Sequence, residues 1–348
     1  WIPMRAAAAM LDRKVQTVQW SRPKGSKRAT YIAVGMAGER KNDVRIYPVN
    51  YSALQGTESK EPIGENEAAW VSCDGDVTDI QFIDDRQFFA GTSEGDISLF
   101  KVDKKGKRVG IRKIHSLQLH PGEITAINLD KPLENMLTVC DAGKVSVSTL
   151  DDLKEKASYF TKSPIHDVAW SPGSANEFFT VGMGARLQLW DLRAFKPTQA
   201  CSYQSSSFMC CDTSSRWETT DGTIVATGSD DGKICLWDSR KLKIPMTVSE
   251  AHQSVVWKIK FLAGSTDVTV SCGEDGRLIA LDFRSFAHIG PYNSEEKGPI
   301  SKVLVQEDLS INCVDYEKEA HWLVTGSESG SIRFYPNEDR SSRQMILA

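Results

Sequence analysis

The 348-residue sequence lacks the short motifs that identify many enzymes and metalloproteins. Its eight cysteines contain no CxxC pair and its six histidines no HxH or HxxxH spacing, so the ligand patterns of common zinc sites are missing. No GxxxxGK[ST] phosphate loop occurs, and Gly182-Met183-Gly184 falls in a strand-turn-strand unit instead of opening a helix. We therefore expect no enzymatic activity, no cofactor, no metal and no small-molecule substrate.

Long apolar runs and an excess of positive charge are absent as well. No apolar run reaches 18 residues, which predicts no membrane insertion, and residues 6–11 are too short for the core of a secretory signal. Lys and Arg number 42 against 46 Asp and Glu, so the chain offers no broad basic face to nucleic acid. We expect protein partners and no direct contact with nucleic acid.

The cysteines lie mostly in apolar, strand-like runs such as 137–140 and 234–237. A buried cysteine behaves as a small hydrophobic residue. Reduced, structural cysteines are typical of the cytosol and the nucleus, and we expect one of these compartments.

What the sequence does contain is a repeat of two strand-like segments joined by a tight turn. The clearest copy is 223–229, the turn Asp230-Asp231-Gly232, and 233–238. An alternating segment opens each unit, and the last segments end 42 to 54 residues apart, at Tyr47, Phe100, Ser148, Trp190, Trp237, Leu281 and Tyr335. Seven units of this length fill nearly the whole chain.

The repeat predicts an all-β protein, because period-2 alternation indicates strands and the Asp-Gly and Glu-Gly pairs suit hairpin turns. Four-stranded antiparallel sheets that bury one another around an axis form a β-propeller. We expect one domain over 1–348, with a ring-closing strand at 4–11 that is favoured over 343–348. The predicted blades are 15–50, 76–103, 123–150, 164–193, 207–240, 255–284 and 311–336.

These units resemble the WD-repeat family, whose signature stands at Leu189-Trp190-Asp191 and Leu236-Trp237-Asp238. The resemblance implies a seven-bladed WD40-type propeller. It also implies a structural hydrogen-bonded set in the sixth unit and turn or core roles in the fourth and fifth, at His252, Ser271, Asp275, Asp231, Trp190 and Trp237. Leu281 replaces the tryptophan of the sixth unit, so we expect packing between blades to stabilise the ring more than repeated polar networks.

Several stretches, including 237–240, 244–246, 257–259 and 272–276, are similar to the WD-repeat nucleoporins of the Y-shaped outer-ring complex of the nuclear pore. This resemblance implies a non-catalytic scaffold at the nuclear envelope, partnered by other Y-complex nucleoporins. It also implies a part in pore assembly and in protein and mRNA transport, and an association with kinetochores in mitosis.

Two alternatives remain open. Trp190-Asp191-Leu192-Arg193 and Trp237-Asp238-Ser239-Arg240 fit the WDxR box of cullin ubiquitin-ligase substrate receptors, in which Arg193 and Arg240 would present guanidinium groups to an adaptor. A peptide reader in a chromatin complex is supported by analogy of fold alone.

Candidate partner-binding residues stand at the start of each inner strand, on one end face of the ring: Gln16, Thr78, Thr125, His166, Met209, Trp257 and Asn312. Alternation turns Val256 and Ile259 inward, and a bulge would direct the ring of Trp257 to the end face. Tryptophan is enriched at binding hot spots, although packing against a neighbouring blade is an equal alternative. We expect the basic segment 101–113 to be a solvated loop, with an acidic-partner site as the alternative, and the acidic segment 58–67 to be a flexible excursion.

Overall fold

Twenty-eight strands form seven sheets of four in the part of the chain that the structure, a computed structural model, describes. The described residues are 7–25, 27–39, 41–57, 61–64, 68–105, 108–130, 134–172, 174, 176–194, 196–202, 206–214, 223–262, 268–283 and 299–336. Each sheet is antiparallel, and each follows the order of its strands in the chain, with one exception at the ring closure. The fold is therefore the seven-bladed β-propeller predicted from the repeat.

The strands fall into blades as follows. The first strand is β1 (Ala7–Met10), and blade one contains β2 (Lys14–Trp20), β3 (Tyr31–Ala37), β4 (Lys41–Pro48) and β5 (Ala69–Asp74). Blade two contains β6 (Val77–Phe82), β7 (Gln87–Thr92), β8 (Asp96–Lys105) and β9 (Arg108–Gln118), and blade three β10 (Ile124–Asp130), β11 (Asn135–Cys140), β12 (Lys144–Thr149) and β13 (Glu155–Phe160). Blade four contains β14 (Ile165–Trp170), β15 (Glu177–Gly182), β16 (Arg186–Asp191) and β17 (Pro197–Ser202), and blade five β18 (Phe208–Ser214), β19 (Ile224–Ser229), β20 (Lys233–Asp238) and β21 (Thr247–Glu250). Blade six contains β22 (Val256–Phe261), β23 (Val268–Gly273), β24 (Arg277–Asp282) and β25 (Ile300–Gln306), and blade seven β26 (Ile311–Glu317), β27 (Trp322–Ser327) and β28 (Ser331–Pro336).

The seventh blade takes its outer strand from the other end of the chain. β1 pairs antiparallel with β28, from Ala7 opposite Phe334 to Met10 opposite Ser331. This pairing covers an edge of β28 that would otherwise be open. Residues 4–6 of the predicted closing strand and the whole of its competitor at 343–348 lie outside the described residues.

The apolar cores lie between neighbouring blades. One cluster joins Ile46 of blade one to Ile80 and Phe88 of blade two, and another joins Phe334 of blade seven to Trp20 of blade one. Four seams are closed by a β-branched residue of the next inner strand, which packs where a glycine of the preceding second strand has no Cβ: Val77 on Gly35, Ile124 on Gly91, Val256 on Gly228, and Val15 on Gly326. Packing of blade against blade thus buries sheets that no single blade could cover.

The basic segment 101–113 is not the solvated loop expected from its charge. It belongs to β8 and β9, which pair from Asp96 opposite Gln118 to Lys105 opposite Arg108. Apolar residues between the charges make this possible, because Val102 is fully buried and Val109 and Ile111 pack on the core shared with blade one.

The one described helix, α1 (Tyr51–Leu54), precedes the acidic segment. The side chain of Asn50 caps it by accepting hydrogen bonds from the backbone of Ser52 and Ala53. Residues 58–60 and 65–67 of that segment lie outside the described residues. No helix in the described part of the chain is long and apolar enough to cross a membrane.

Candidate functional site

A bulge interrupts the start of every inner strand. The register between the first two strands of each blade skips one residue, and the seven skipped residues are Gln16, Thr78, Thr125, His166, Met209, Trp257 and Asn312. A bulged residue leaves the ladder and its side chain is redirected. These seven are the candidate partner-binding residues, and all seven line one cavity of about 630 Å³, which we call the channel mouth. Since every inner strand contributes to it, the cavity lies on the axis of the ring.

Four of the seven bulged side chains link their blade to the next one. Each donates a hydrogen bond to the carbonyl oxygen of the residue just before the neighbouring bulge, over distances of 2.5 to 2.9 Å: Thr78 to Ile124, Thr125 to Ile165, His166 to Phe208, and Asn312 to Val15. Because the Phe208 carbonyl can only accept, Nδ1 of His166 carries the proton. These four residues have a structural role, which reduces what they offer to a partner.

Trp257, Met209 and Gln16 differ from those four, because among the described hydrogen bonds their side chains have none, and all three line the cavity. Trp257 is 36% exposed, whereas Val256 and Ile259 on the same strand are fully buried. Trp257 therefore stands in a bulge, lines the cavity and leaves about a third of its surface open to solvent. Met209, half-buried on the adjacent blade, lines the same cavity.

The wall below the mouth carries buried charge that the sequence reasoning missed. The ammonium of Lys258 in blade six lies 3.3 Å from a carboxylate oxygen of Asp167 in blade four. Burial disfavours the charge on Lys258, but Asp167 and Asp79 outweigh it, and the pKa of Lys258 is raised. The pKa of Asp79 is raised too, mainly by its own burial.

Acidic or amide side chains of the inner strands also hold neighbouring blades together. Each accepts a hydrogen bond from a backbone N–H of the next inner strand: Gln19 from Phe82, Asp79 from Ile127, Asn128 from Trp170, Asp167 from Cys211, Asp212 from Phe261, and Asp315 from Trp20. These bonds cross six of the seven seams. The available signal was an Asp, Asn or Gln one or three residues after six of the seven bulged positions.

The sixth blade contains the hydrogen-bonded set expected from the family resemblance. His252 Nδ1 lies 2.9 Å from Asp275 and Nε2 lies 2.8 Å from the Ser271 hydroxyl. Burial lowers the pKa of His252 despite the hydrogen bond to Asp275. His252 is only 5% exposed and both of its ring nitrogens are hydrogen-bonded, so it has a structural role.

A second histidine of this kind, His120, was missed. Its Nε2 lies 2.7 Å from the Thr138 hydroxyl in blade three, but its buried Nδ1 has no hydrogen-bond partner. Burial lowers the pKa of His120 to about 4, with a smaller contribution from Lys144. In blade three, Ala142 occupies the turn position that Asp275 holds in blade six. The two turns correspond because each of these residues is followed by a glycine with positive φ, Gly143 and Gly276.

The two signature tryptophans are core residues. The indole N–H of Trp190 donates to the Thr180 hydroxyl at 2.8 Å, and that of Trp237 donates to Thr227 at 3.0 Å. Asp231 accepts a hydrogen bond from the Ser229 hydroxyl and pairs with Lys233 at 2.7 Å, so it holds its turn.

Arg193 and Arg240 each form a two-pronged ion pair with the aspartate of their own WD signature. The shorter N–O distances are 2.6 Å for Arg193 to Asp191 and 2.5 Å for Arg240 to Asp238. Hydrogen bonds from Arg193 lower the pKa of Asp191 to about 2. Both guanidinium groups are exposed to solvent, but one edge of each is already hydrogen-bonded to the aspartate of its own motif.

The described residues contain no candidate metal site, and their cysteines are not activated nucleophiles. No group of three or more His, Cys, Asp or Glu there could hold a metal ion. All eight cysteines are buried and unpaired, and burial raises the pKa of Cys201 to about 11 and that of Cys235 to about 12. Such thiols are protonated at neutral pH and make poor nucleophiles.

Comparison with known proteins agrees with this geometry. The family "WD domain, G-beta repeat" is matched by residues 199–238 and 300–335. The chain is 24% identical to the nucleoporin Nup43 of Mus musculus over 91% of this chain and 86% of that protein, and 23% identical to human Nup43 over 78% and 74%. It is also 30% identical to the mouse protein NEDD1, over 56% of this chain and 29% of that protein.

Proposed function

This chain is a seven-bladed propeller that carries WD repeats, and we propose that it is a non-catalytic scaffold subunit of the nuclear pore, in the Y-shaped outer-ring complex. The observation that carries the proposal is the extent of the likeness to Nup43, which runs through 91% of this chain and 86% of the mouse protein. The likeness to NEDD1 stops at 56% and 29%. A role in pore assembly and nucleocytoplasmic transport, at the nuclear envelope and with other nucleoporins as partners, follows from this proposal.

The channel mouth is the partner-binding surface in this proposal, with Trp257 at its centre. Tryptophan supplies a large, rigid contact area, and it is among the residues that contribute most when an interface buries them. Trp257 is open while Thr78, Thr125 and His166 are engaged in seams. The contact therefore depends on Trp257 and its neighbour Met209 more than on the ring of bulged residues as a whole.

The experiment that tests the function is localisation and co-purification of the tagged full chain. Concentration at the nuclear rim and recovery of Y-complex subunits support the proposal, and a diffuse distribution without nucleoporins contradicts it. Trp257→Ala should reduce recovery of those subunits. Phe160→Ala, which truncates another exposed aromatic residue on the outer strand of blade three, is the matched control and should not.

Competing functions give different outcomes in the same experiment. Recovery of a ubiquitin-ligase adaptor, lost in Arg193→Ala and Arg240→Ala, would indicate a substrate receptor. The geometry does not favour it, because both guanidinium groups are paired with their own aspartates. Saturable binding of a modified histone peptide at the channel mouth would indicate a chromatin reader. The similarity to Nup43 does not support an association with kinetochores, so we do not propose one.

A further inference from the structure

A second surface, remote from the channel mouth, is formed by the hairpin of β8 and β9, which we call the blade-two hairpin. Its strands have ten and eleven residues, whereas no other described strand exceeds eight. β9 is the outer strand of its sheet, so one edge of its backbone has no strand beside it in the described residues. An open edge of this length can accept an additional strand.

The blade-two hairpin is strongly basic on an acidic protein. Its basic residues include Lys101, Lys104, Arg108, Arg112 and Lys113, and its one acid past the start of β8, Asp103, is held by Arg112 at 2.8 Å. Positions 101–113 hold seven Lys or Arg and one Asp, which leaves 35 basic and 45 acidic residues for the rest of the chain. Positive charge is thus concentrated on this hairpin and is outweighed by negative charge elsewhere.

Large apolar side chains are exposed beside these charges. Ile114 is 47% and Leu117 40% exposed on β9. Lysines alone would serve to protect an open edge from aggregation. Exposed Ile and Leu work against such protection and are typical of a surface that a partner covers.

We propose that the edge of β9 binds an extended, acidic segment of a partner protein, which adds to blade two as a fifth strand. Backbone hydrogen bonds on either side of the bulge at Ile114 would supply the pairing, carboxylates would meet Lys104 and Arg108, and apolar residues would cover Ile114 and Leu117. Nucleic acid fits less well, because Phe100, the one Phe, Tyr or Trp of the described hairpin, is fully buried, which leaves only the imidazole of His115 to stack on a base. This inference goes beyond the proposed function and does not involve Trp257.

The test uses the purified full chain and a fluorescent peptide of about ten residues in which Glu and Val alternate. Anisotropy should show binding that weakens as salt is raised. A peptide of the same length, with two central Val replaced by Pro, cannot form the strand and should bind at least about tenfold more weakly.

Two variants of equal charge change locate the site. Lys104→Glu with Arg108→Glu should weaken binding about tenfold or more, since two carboxylate contacts become repulsive. Lys154→Glu with Lys162→Glu, two lysines next to the outer strand of blade three, should change it less than about twofold, and Trp257→Ala should have no effect. Equal binding of the proline peptide, equal losses in the two double variants, or binding of a labelled oligonucleotide in place of the peptide would each overturn the proposal.

Discussion

The unpartnered Nδ1 of His120 makes a sharp prediction for the substitution Ala142→Asp. Blade six already contains the expected hydrogen bond, because the same turn position is Asp275 there and its carboxylate lies 2.9 Å from the imidazole of His252. The backbones correspond closely: the N–H of His252 donates to Gly232 at 3.1 Å and that of His120 donates to Gly95 at 3.2 Å. An aspartate at position 142 should therefore reach Nδ1 of His120 without movement of the chain.

The gain can be bounded from the groups involved. A buried polar atom without a partner costs about 1–3 kcal/mol, and a carboxylate that selects the Nδ1–H tautomer and accepts its hydrogen bond removes that penalty. Repulsion from the adjacent Asp141 and from Glu123 reduces the gain, so we expect the free energy of unfolding to rise by about 1–2 kcal/mol at pH 7. At about 2.1 cal/mol/K per residue of unfolding entropy, the melting temperature of this chain should rise by roughly 1–3 °C.

The gain should grow as the pH falls. The pKa of His120 is about 4 in the folded chain, below the ordinary 6.5, so the unfolded chain binds more protons between these values and stability falls as pH is lowered through them. Between pH 7 and pH 5 this histidine should cost about 2 kcal/mol. The carboxylate introduced by Ala142→Asp would favour the imidazolium, raise the pKa of His120 and reduce that loss.

Thermal unfolding at pH 7 and pH 5 measures both effects, and the same substitution in a His120→Gln background is the control. Without the imidazole, Ala142→Asp should give no stabilisation, and the added carboxylate should be slightly unfavourable. A gain of equal size in both backgrounds, or no gain in either, would refute the reasoning that Nδ1 of His120 is a buried polar atom without a partner.

Three further substitutions test the packing. Trp237→Ala should lower the free energy of unfolding by about 3–5 kcal/mol through cavity formation, whereas Trp257→Ala should lower it by less than about 1 kcal/mol. Chemical denaturation measures both losses. A large loss in Trp257→Ala would show that the Trp257 ring belongs to the core. Gly326→Ala should cost about 1–3 kcal/mol because the new Cβ would clash with the side chain of Val15, and Val15→Ala in the same chain should recover part of the loss. Lys258→Met should cost about 1–3 kcal/mol by leaving carboxylates unpaired in the channel wall, and a neutral effect would mean that solvent screens this pair.

Much of the architecture could be read from local pattern. Alternation with a recurring turn predicted the inner strands, with their first residues correct to within one position. The run 101–113 was misread because its many charged residues mask the apolar positions Val102, Val109 and Ile111. These side chains pack against the neighbouring sheet of blade one, and the local sequence does not show that this sheet is there. His120 was overlooked because its turn aspartate is missing, so the sequence shows an isolated histidine.

The amino-acid sequence by itself determined the number of blades, their order and the ring of residues at one end, since these depend on periodicities within a single unit. Only the tertiary structure decided which of those residues remain available. Whether a bulged side chain forms a hydrogen bond depends on whether the adjacent blade places a carbonyl group next to it. For Asn312 that carbonyl belongs to Val15, 297 positions away in the chain. Hydrogen bonds across seams are set by the closure of the whole ring, and no local pattern records them.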